Sequence, residues 1–326
     1  MTQGPPTVRT TTEAAVITEF GSPELLHLAQ VPLPELGDEQ VQVQVAAIGV
    51  NPVDVSTRAG KNIPDSDARF PMVLGWDVAG TVTAVGASVS GLEVGDRVAG
   101  MIFQPIDQRG TYAEYVNFDA SLFATVPPGL SLHEAATIPL TALTAAGLLD
   151  AATAGGARNL LVTGPLGAVG RHVVALAAQA GLEVIGAAAS ERSDELLALG
   201  ARSAVGRSEF TDTVRARYPD GVDAAIDLVG GRVARAAFDS VRDGGRYATA
   251  VPPYIDATGV FEDARDIRVH VHVVAPDTPR LTELLNLAAQ GTLNTTVQQE
   301  LPLREAAEAH RLLAAGGLKG RILLTT

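Results

Sequence analysis

The chain has no cysteine among its 326 residues. That absence excludes a disulfide framework, a thiol nucleophile and any thiolate metal site. Basic side chains are few: 24 Lys and Arg stand against 37 Asp and Glu, a formal net charge of -13. An acidic surface repels phosphate backbones and anionic lipid heads, so neither nucleic acid nor a membrane is an expected partner. Long clean hydrophobic runs are missing too. The most apolar stretches, residues 135–149 and 160–180, are broken by Gly, Pro or charge, and a membrane span needs roughly 18 uninterrupted apolar residues. Residues 1–13 are polar and rich in Thr and Pro, with no basic start leading into an apolar run. They do not read as a secretory leader, and a cytoplasmic location is expected.

What is present is a globular composition, 46% hydrophobic and 19% charged, too apolar for disorder and long enough for two domains. From about residue 14 to 123 the pattern is strand-like. The alternation Gln40-Val41-Gln42-Val43-Gln44-Val45 predicts one buried and one wet face, and glycines at 80, 86, 91 and 95 mark tight turns. From about 128 to 274 apolar strands alternate with helical patterns. Strands are expected at 159–163, 184–189, 222–228 and 246–251, with helices at 169–180 and 194–199. That alternation predicts a parallel sheet buried on both faces. Two helices, 279–290 and 303–315, and a strand at 320–325 close the chain.

The most informative segment is Leu160-Leu161-Val162-Thr163-Gly164-Pro165-Leu166-Gly167-Ala168-Val169-Gly170. A buried strand runs into a glycine turn that opens an apolar helix, the arrangement that seats a dinucleotide pyrophosphate on helix N-terminal amides. Set against G-x-G-x-x-G, the first glycine is replaced by Pro165, while Gly167 and Gly170 keep their places.

The next strand selects the coenzyme. An NAD site places Asp or Glu at that strand's end to hold the ribose 2′-hydroxyl. Here the strand ends Gly186-Ala187-Ala188-Ala189, then Ser190 and Arg192 follow, with Arg207 past the next short strand. A hydroxyl and two guanidinium groups suit a 2′-phosphate, so NADPH is the expected cofactor. The plainer alternative makes both arginines ordinary surface residues, or gives Glu191 the acidic role.

With the glycine turn following a β-rich half, further markers fall into order: Asn51-Pro52-Val53-Asp54, Gly75-Trp76-Asp77-Val78-Ala79-Gly80, Gly95-Asp96-Arg97-Val98, Gly110-Thr111-Tyr112-Ala113-Glu114-Tyr115, Leu143-Thr144-Ala145, Gly244-Gly245-Arg246, Ala309-His310 and Lys319-Gly320-Arg321. Together they resemble the medium-chain dehydrogenase/reductase superfamily, in its zinc-free quinone oxidoreductase (zeta-crystallin-like) branch, whose relatives include the enoyl reductases of polyketide synthases. The resemblance implies an α/β chain. Residues 1–127 and 275–326 would build a GroES-like β-rich catalytic domain, and residues 128–274 a Rossmann doubly wound parallel sheet that binds NADPH. It also implies a homodimer.

Zinc-dependent relatives hold their metal with Cys, His and Cys. Asn51 stands where the first cysteine would be and Trp76 where the histidine would be, so no metal is expected. His270 and His272 face one side of a strand, but no third ligand is in view. Without a metal, hydride can still pass to an acceptor that is already electrophilic, a quinone or an α,β-unsaturated carbonyl. The resemblance implies that Thr144, Val229, Ala250, Val251, Val271 and Val273 line the coenzyme pocket. It implies that Asn51 hydrogen-bonds near the reacting carbonyl or the nicotinamide ribose; a turn residue before Pro52 is the alternative. Tyrosines common in the family are replaced here by Ser56 and Asn62, with Lys61 beside it. Lys61 and Asn62 are thus the remaining catalytic candidates, against a solvated-loop reading of Lys61. Competing functions are an enoyl reductase of a biosynthetic, polyketide-type intermediate and a non-catalytic NADPH-binding protein.

Overall fold

A computed structural model describes residues 8–207, 210–251, 265–293 and 296–326, with nothing stated for the Asp107 side chain. The first seven residues, part of the segment read as no leader, lie outside it. The chain divides into two compact units. One holds the chain up to Leu140, Ala275–Gly291 and the C-terminal stretch to Thr326; the other holds Thr141–Val274.

In the first unit the strands are β1 (Thr11–Ile17), β2 (His27–Pro32), β3 (Gln40–Gly49), β4 (Met72–Val73), β5 (Asp77–Val85), β6 (Arg97–Met101), β7 (Tyr115–Asp119) and β8 (Phe123–Thr125). Helices α1 (Pro52–Arg58), α2 (Gln104–Asp107) and α3 (Leu132–Ala135) lie in the same stretch, and α4 (Pro139–Thr153) follows. Strands β3, β5, β6 and β8 pair antiparallel in sequence, β7 pairs with β3, and β1 joins β2 and β4 in a small separate sheet.

The expected alternation along β3 holds for Val41, Val43 and Val45, which are buried, and fails at Gln42, also fully buried. Its side chain is kept there by a complete set of partners. Gln42 Nε2 donates to Arg9 O (2.9 Å) and Asn117 Oδ1 (3.0 Å), and its Oε1 accepts from Arg9 N (2.8 Å). A buried amide with all its hydrogen bonds made is tolerated where an orphaned one is not.

The second unit contains β9 (Asn159–Thr163), α5 (Ala168–Gln179), β10 (Glu183–Ala188), α6 (Ser193–Ala198), β11 (Ser203–Gly206), α7 (Phe210–Arg217), β12 (Val222–Asp227), α8 (Gly231–Asp239), β13 (Val241–Thr249) and β14 (Arg268–Val271). All pairs are parallel, in the order β11-β10-β9-β12-β13-β14. That is the doubly wound order, with its reversal between β9 and β12. Crossover helices cover both faces, which is why Leu160, Leu161, Val162, Ala224, Ala225 and Ile226 are all apolar and all sealed from water.

Back in the first unit, α9 (Thr278–Ala289) is capped by Asp277, whose carboxylate accepts from Arg280 N at 3.0 Å. Then β15 (Val297–Pro302), α10 (Ala306–Ala315) and β16 (Arg321–Thr325) complete the large sheet as β15-β16-β3. The chain is therefore α/β, a GroES-like β-rich unit and a Rossmann sheet. Among the described residues no helix is long and apolar enough to cross a membrane.

Candidate coenzyme site and the buried network of the β-rich unit

The glycine turn sits at the carboxyl end of β9, beside the order reversal. Gly164, not the Gly-to-Pro165 position, provides the bend: its φ is +63°, a left-handed value that favours glycine. A Cβ on Gly170 would lie 2.1 Å from Gly164 O, so helix α5 comes down onto the turn as only glycine allows. Gly167 is exposed and caps α5 with no side-chain oxygen. The first amides of the helix, at Ala168, Val169 and Gly170, thus have no capping side chain, which is the donor set a pyrophosphate needs.

Around this turn the structure gathers several predicted pocket residues. A Cβ on Gly164 would touch Val229 Cγ2 at 3.2 Å, and one on Gly230 would touch Val251 Cγ1 at 3.2 Å. Buried Asp227, at the end of β12, organises this edge. It accepts from Thr163 Oγ1 (2.5 Å), Val229 N (3.3 Å) and Gly230 N (2.9 Å). Thr249 Oγ1 donates to the Asp227 carbonyl at 2.9 Å, and Val251 N donates to Thr249 Oγ1 at 3.2 Å. Ala250 and Val251 follow directly on β13. Val271 ends β14 opposite Thr249, and Val273 follows with 63% of its surface exposed. Thr144 lies buried on α4, one turn before Gly147. The His272 ring presses on Gly147 so closely that a Cβ there would be 2.1 Å from its Cε1.

At the end of β10, Ser190 and Glu191 are exposed, and Ser190 Oγ lies 3.4 Å from Glu191 Oε2. Arg192 folds back onto Glu195 of α6, donating from Nε at 2.8 Å and Nη2 at 3.0 Å. Arg171, on the first turns of α5, donates to the same carboxylate. Arg207 is exposed just after Gly206, which pairs with Ala188 at the end of β10. The register thus brings Arg207 to the strand end that carries Ser190. Sequence reading missed Gly164, Arg171 and Glu195; the only signal for Arg171 was a cation one residue past the last glycine.

The catalytic candidates lie in the other unit. Lys61 and Asn62 are exposed. Asn62 Nδ2 bonds back to Thr57 Oγ1 (3.0 Å) and Val53 O (3.3 Å), tying it to α1. Asn51 does something different from what the resemblance implied. It is fully buried; its Nδ2 donates to Gly49 O (3.0 Å) and Asp77 Oδ2 (2.9 Å), and its Oδ1 accepts from Arg321 Nη1 (2.9 Å). Both amide protons are spent inside the unit, so none is left for the carbonyl of an acceptor.

Asn51 belongs to a buried chain of polar groups. Arg321 Nη2 donates to Asp77 Oδ2 at 3.1 Å, and Asp77 Oδ1 accepts from Leu140 N at 2.8 Å. Asp54 Oδ2 accepts from Asn51 N (2.8 Å) and from Tyr112 OH (3.2 Å), and Tyr112 OH lies 3.0 Å from His310 Nε2. Burial pushes Asp54 up to about 8, the Asp77 charge adding to it against the bonds from Asn51 and Tyr112. Burial also raises Asp77, to about 6, with Arg321 and Asn51 working the other way. His310 is driven down to about 3 by burial and by the Arg58 cation.

Residues 37–128 match the alcohol dehydrogenase GroES-like domain family, and residues 199–324 match a family described as zinc-binding dehydrogenase. A 2-methylene-furan-3-one reductase of Solanum lycopersicum is 36% identical over 235 residues, covering 70% of this chain and 59% of its own. A mycocerosic acid synthase-like polyketide synthase of Mycolicibacterium smegmatis is 30% identical over 325 residues, 95% of this chain and 15% of the synthase. The chain thus spans about three-fifths of the first relative and a small part of the second. Among solved structures, the quinone oxidoreductase of Coxiella burnetii superposes with a TM-score of 0.83 at 28% identity, covering 97% of this chain and 99% of that one. An NAD-dependent alcohol dehydrogenase also gives 0.83, at 30% identity over 96% of this chain and 99% of that one.

The chain belongs to the medium-chain dehydrogenase/reductase superfamily. Members of that superfamily bind a nicotinamide cofactor. The glycine cradle and the uncapped α5 amides fit the pyrophosphate of that group. Zinc does not fit. The chain offers no thiolate, Asn51 and Trp76 stand where the first cysteine and the histidine of the zinc-dependent relatives would be, and the Asn51 carbonyl oxygen is already taken by the Arg321 guanidinium. His270 and His272 do share a side, with Nε2 and Nδ1 3.5 Å apart. Among the described residues no cluster of three or more metal-binding side chains includes them.

Proposed function

We propose that the protein is an NADPH-dependent reductase passing hydride to quinones or α,β-unsaturated carbonyls without a metal. One observation carries the reading. The end of β10 runs from alanine into Ser190 and Arg192, with Arg207 alongside, where an NAD site would place a carboxylate. In this reading the α5 amides hold the pyrophosphate, and Ser190, Arg192 and Arg207 hold the 2′-phosphate. Thr144, Val229, Ala250, Val251, Val271 and Val273 wall the nicotinamide and exclude water. When bound, the reduced coenzyme supplies the hydride. A conjugated acceptor needs no Lewis acid, because its electron pair moves onto oxygen as hydride arrives. We assign the acceptor's polar end to Lys61 and Asn62, with Asn51 bracing α1 from beneath. The likeness to a 2-methylene-furan-3-one reductase supports the enone class. On its acidic charge and family we also read the protein as a cytoplasmic homodimer, with neither nucleic acid nor membrane as partner.

The test pairs calorimetric titration of NADPH and NADH with loss of reduced-nicotinamide absorbance on naphthoquinone and on cyclic enones. The expected result is tighter NADPH binding and turnover on at least one class. Tight NADPH binding with no turnover on any acceptor would favour a non-catalytic protein instead.

A second reading rests on the alignment of 95% of this chain with a segment of a polyketide synthase. There the acceptor is an α,β-unsaturated thioester of a biosynthetic intermediate. Turnover of an enoyl thioester well above that of naphthoquinone or cyclic enones would select it.

A further inference from the structure

Arg171 lies on the turn of α5 that follows Gly170, away from the strand end where the coenzyme-selecting residues were sought. The fold nevertheless brings it there. Gly186 of β10 has no side chain, and a Cβ on it would be 2.5 Å from Leu196 Cδ2, so α6 packs down on the strand close to its end. Glu195, the neighbour of Leu196, is thereby placed between α5 and the Ser190–Arg192 turn. It accepts from Arg192 through two nitrogens, at 2.8 and 3.0 Å, and from Arg171.

Two guanidinium groups therefore share one carboxylate. Their side chains are only 12% and 23% exposed, so water screens the excess positive charge poorly. Arg171 is held below the ordinary arginine range by burial first and by the Arg192 charge second. A pair of planar forks with one counter-ion is short of one anion, and a phosphomonoester takes bidentate bonds from such forks.

We propose that Arg171 is the second jaw, with Arg192, of a clamp for the 2′-phosphate of the coenzyme's adenosine ribose, and that Glu195 is the built-in anion that competes with it. The proposal rests on the NADPH reading above and deepens it, because Glu195 then sets how tightly the phosphate is held as well as where the arginines point.

The probes are adenosine 2′,5′-bisphosphate and adenosine 5′-monophosphate, titrated calorimetrically so that no turnover is needed, with melting temperature as a folding control. The wild type is expected to prefer the bisphosphate. Arg171→Ala should weaken bisphosphate about tenfold or more, the loss of one or two charge-assisted bonds, and leave monophosphate within about twofold. Glu195→Gln should tighten the bisphosphate several-fold and leave the monophosphate unchanged. Arg171→Lys, which keeps the charge and loses the fork, should fall in between and serves if Arg171→Ala does not fold. No preference in the wild type would overturn both the NADPH reading and the clamp. A wild-type preference lost in Arg192→Ala, yet unmoved in Arg171→Lys and Glu195→Gln, would overturn the clamp alone and leave Arg171–Glu195 as a tie between helices.

Discussion

Arg321 reaches Asp77 across 3.1 Å with 4% of the arginine and none of the aspartate open to water. Strand β16 delivers the arginine and β5 the aspartate, and Asn51 closes the third side. Removing one member of such a pair strands a buried charge, which costs about 3–5 kcal/mol. Arg321→Leu is expected to lower denaturant stability by that order. The double variant Arg321→Leu/Asp77→Leu should recover much of the loss, because no charge is left orphaned. Equal destabilisation in single and double variants would contradict this account.

Asp54 gives the pH response a definite sign. Its folded pKa is raised from 3.8 to about 8, so the folded state keeps the proton that the unfolded chain releases. The contribution is fully present below 3.8 and is lost as pH rises through about 8. Asp77, raised to about 6 beside Arg321, adds in the same direction. His310 runs the opposite way. Lowered from 6.5 to about 3, it contributes stability above 6.5 that is lost as pH falls toward 3. Denaturant midpoints measured across pH should show Asp54→Asn flattening the decline on the alkaline side while leaving the acid side intact.

Gly170 separates holding the coenzyme from choosing it. Its missing Cβ would stand 2.1 Å from Gly164 O and 2.8 Å from the Pro165 backbone, neither of which can swing aside as a side chain would. Gly170→Ala must push α5 off the turn, an overpacking cost of about 1–3 kcal/mol. NADPH and NADH should both weaken, by similar factors, in calorimetric titration. A change confined to NADPH would mean that the turn does not seat the pyrophosphate.

Strand β14 bears on the proposed homodimer. Among the described residues it pairs only with β13, and Val269 and Val271 on it are 42% and 37% exposed. An apolar sheet edge of this kind invites a further strand, and a second copy of the chain is the partner the family implies. Sedimentation velocity should give a dimer for the native chain, with Val269→Glu displacing it toward monomer. A dimer unmoved by that change would place the interface elsewhere.

Much of the Rossmann unit was legible because its signals are local. A run such as Leu160-Leu161-Val162 between turn residues has few alternatives, and β9, α5 and β10 lie within a residue of their expected bounds. What escaped depends on partners distant in sequence. Gln42 reads as a wet-face residue until Asn117, 75 positions on, satisfies it. Asn51 reads as a group facing an acceptor until Arg321, 270 positions on, takes its carbonyl oxygen. Arg171 becomes a neighbour of Arg192 only because Gly186 admits Leu196 and seats α6. Matching the turn to G-x-G-x-x-G from Pro165 onward passes over Gly164, which is the residue that adopts the left-handed φ.

The close seat of His272 on Gly147 bears on any effort to widen the range of acceptors. Thr144, assigned to the nicotinamide wall, rides on the same helix one turn earlier, and that helix is clamped to the outermost end of the sheet by an aromatic ring with no slack. A bulkier residue at 144 cannot be accommodated by sliding the helix outward. Libraries that vary Thr144 should therefore also vary position 272, where a smaller side chain would give the helix room to shift.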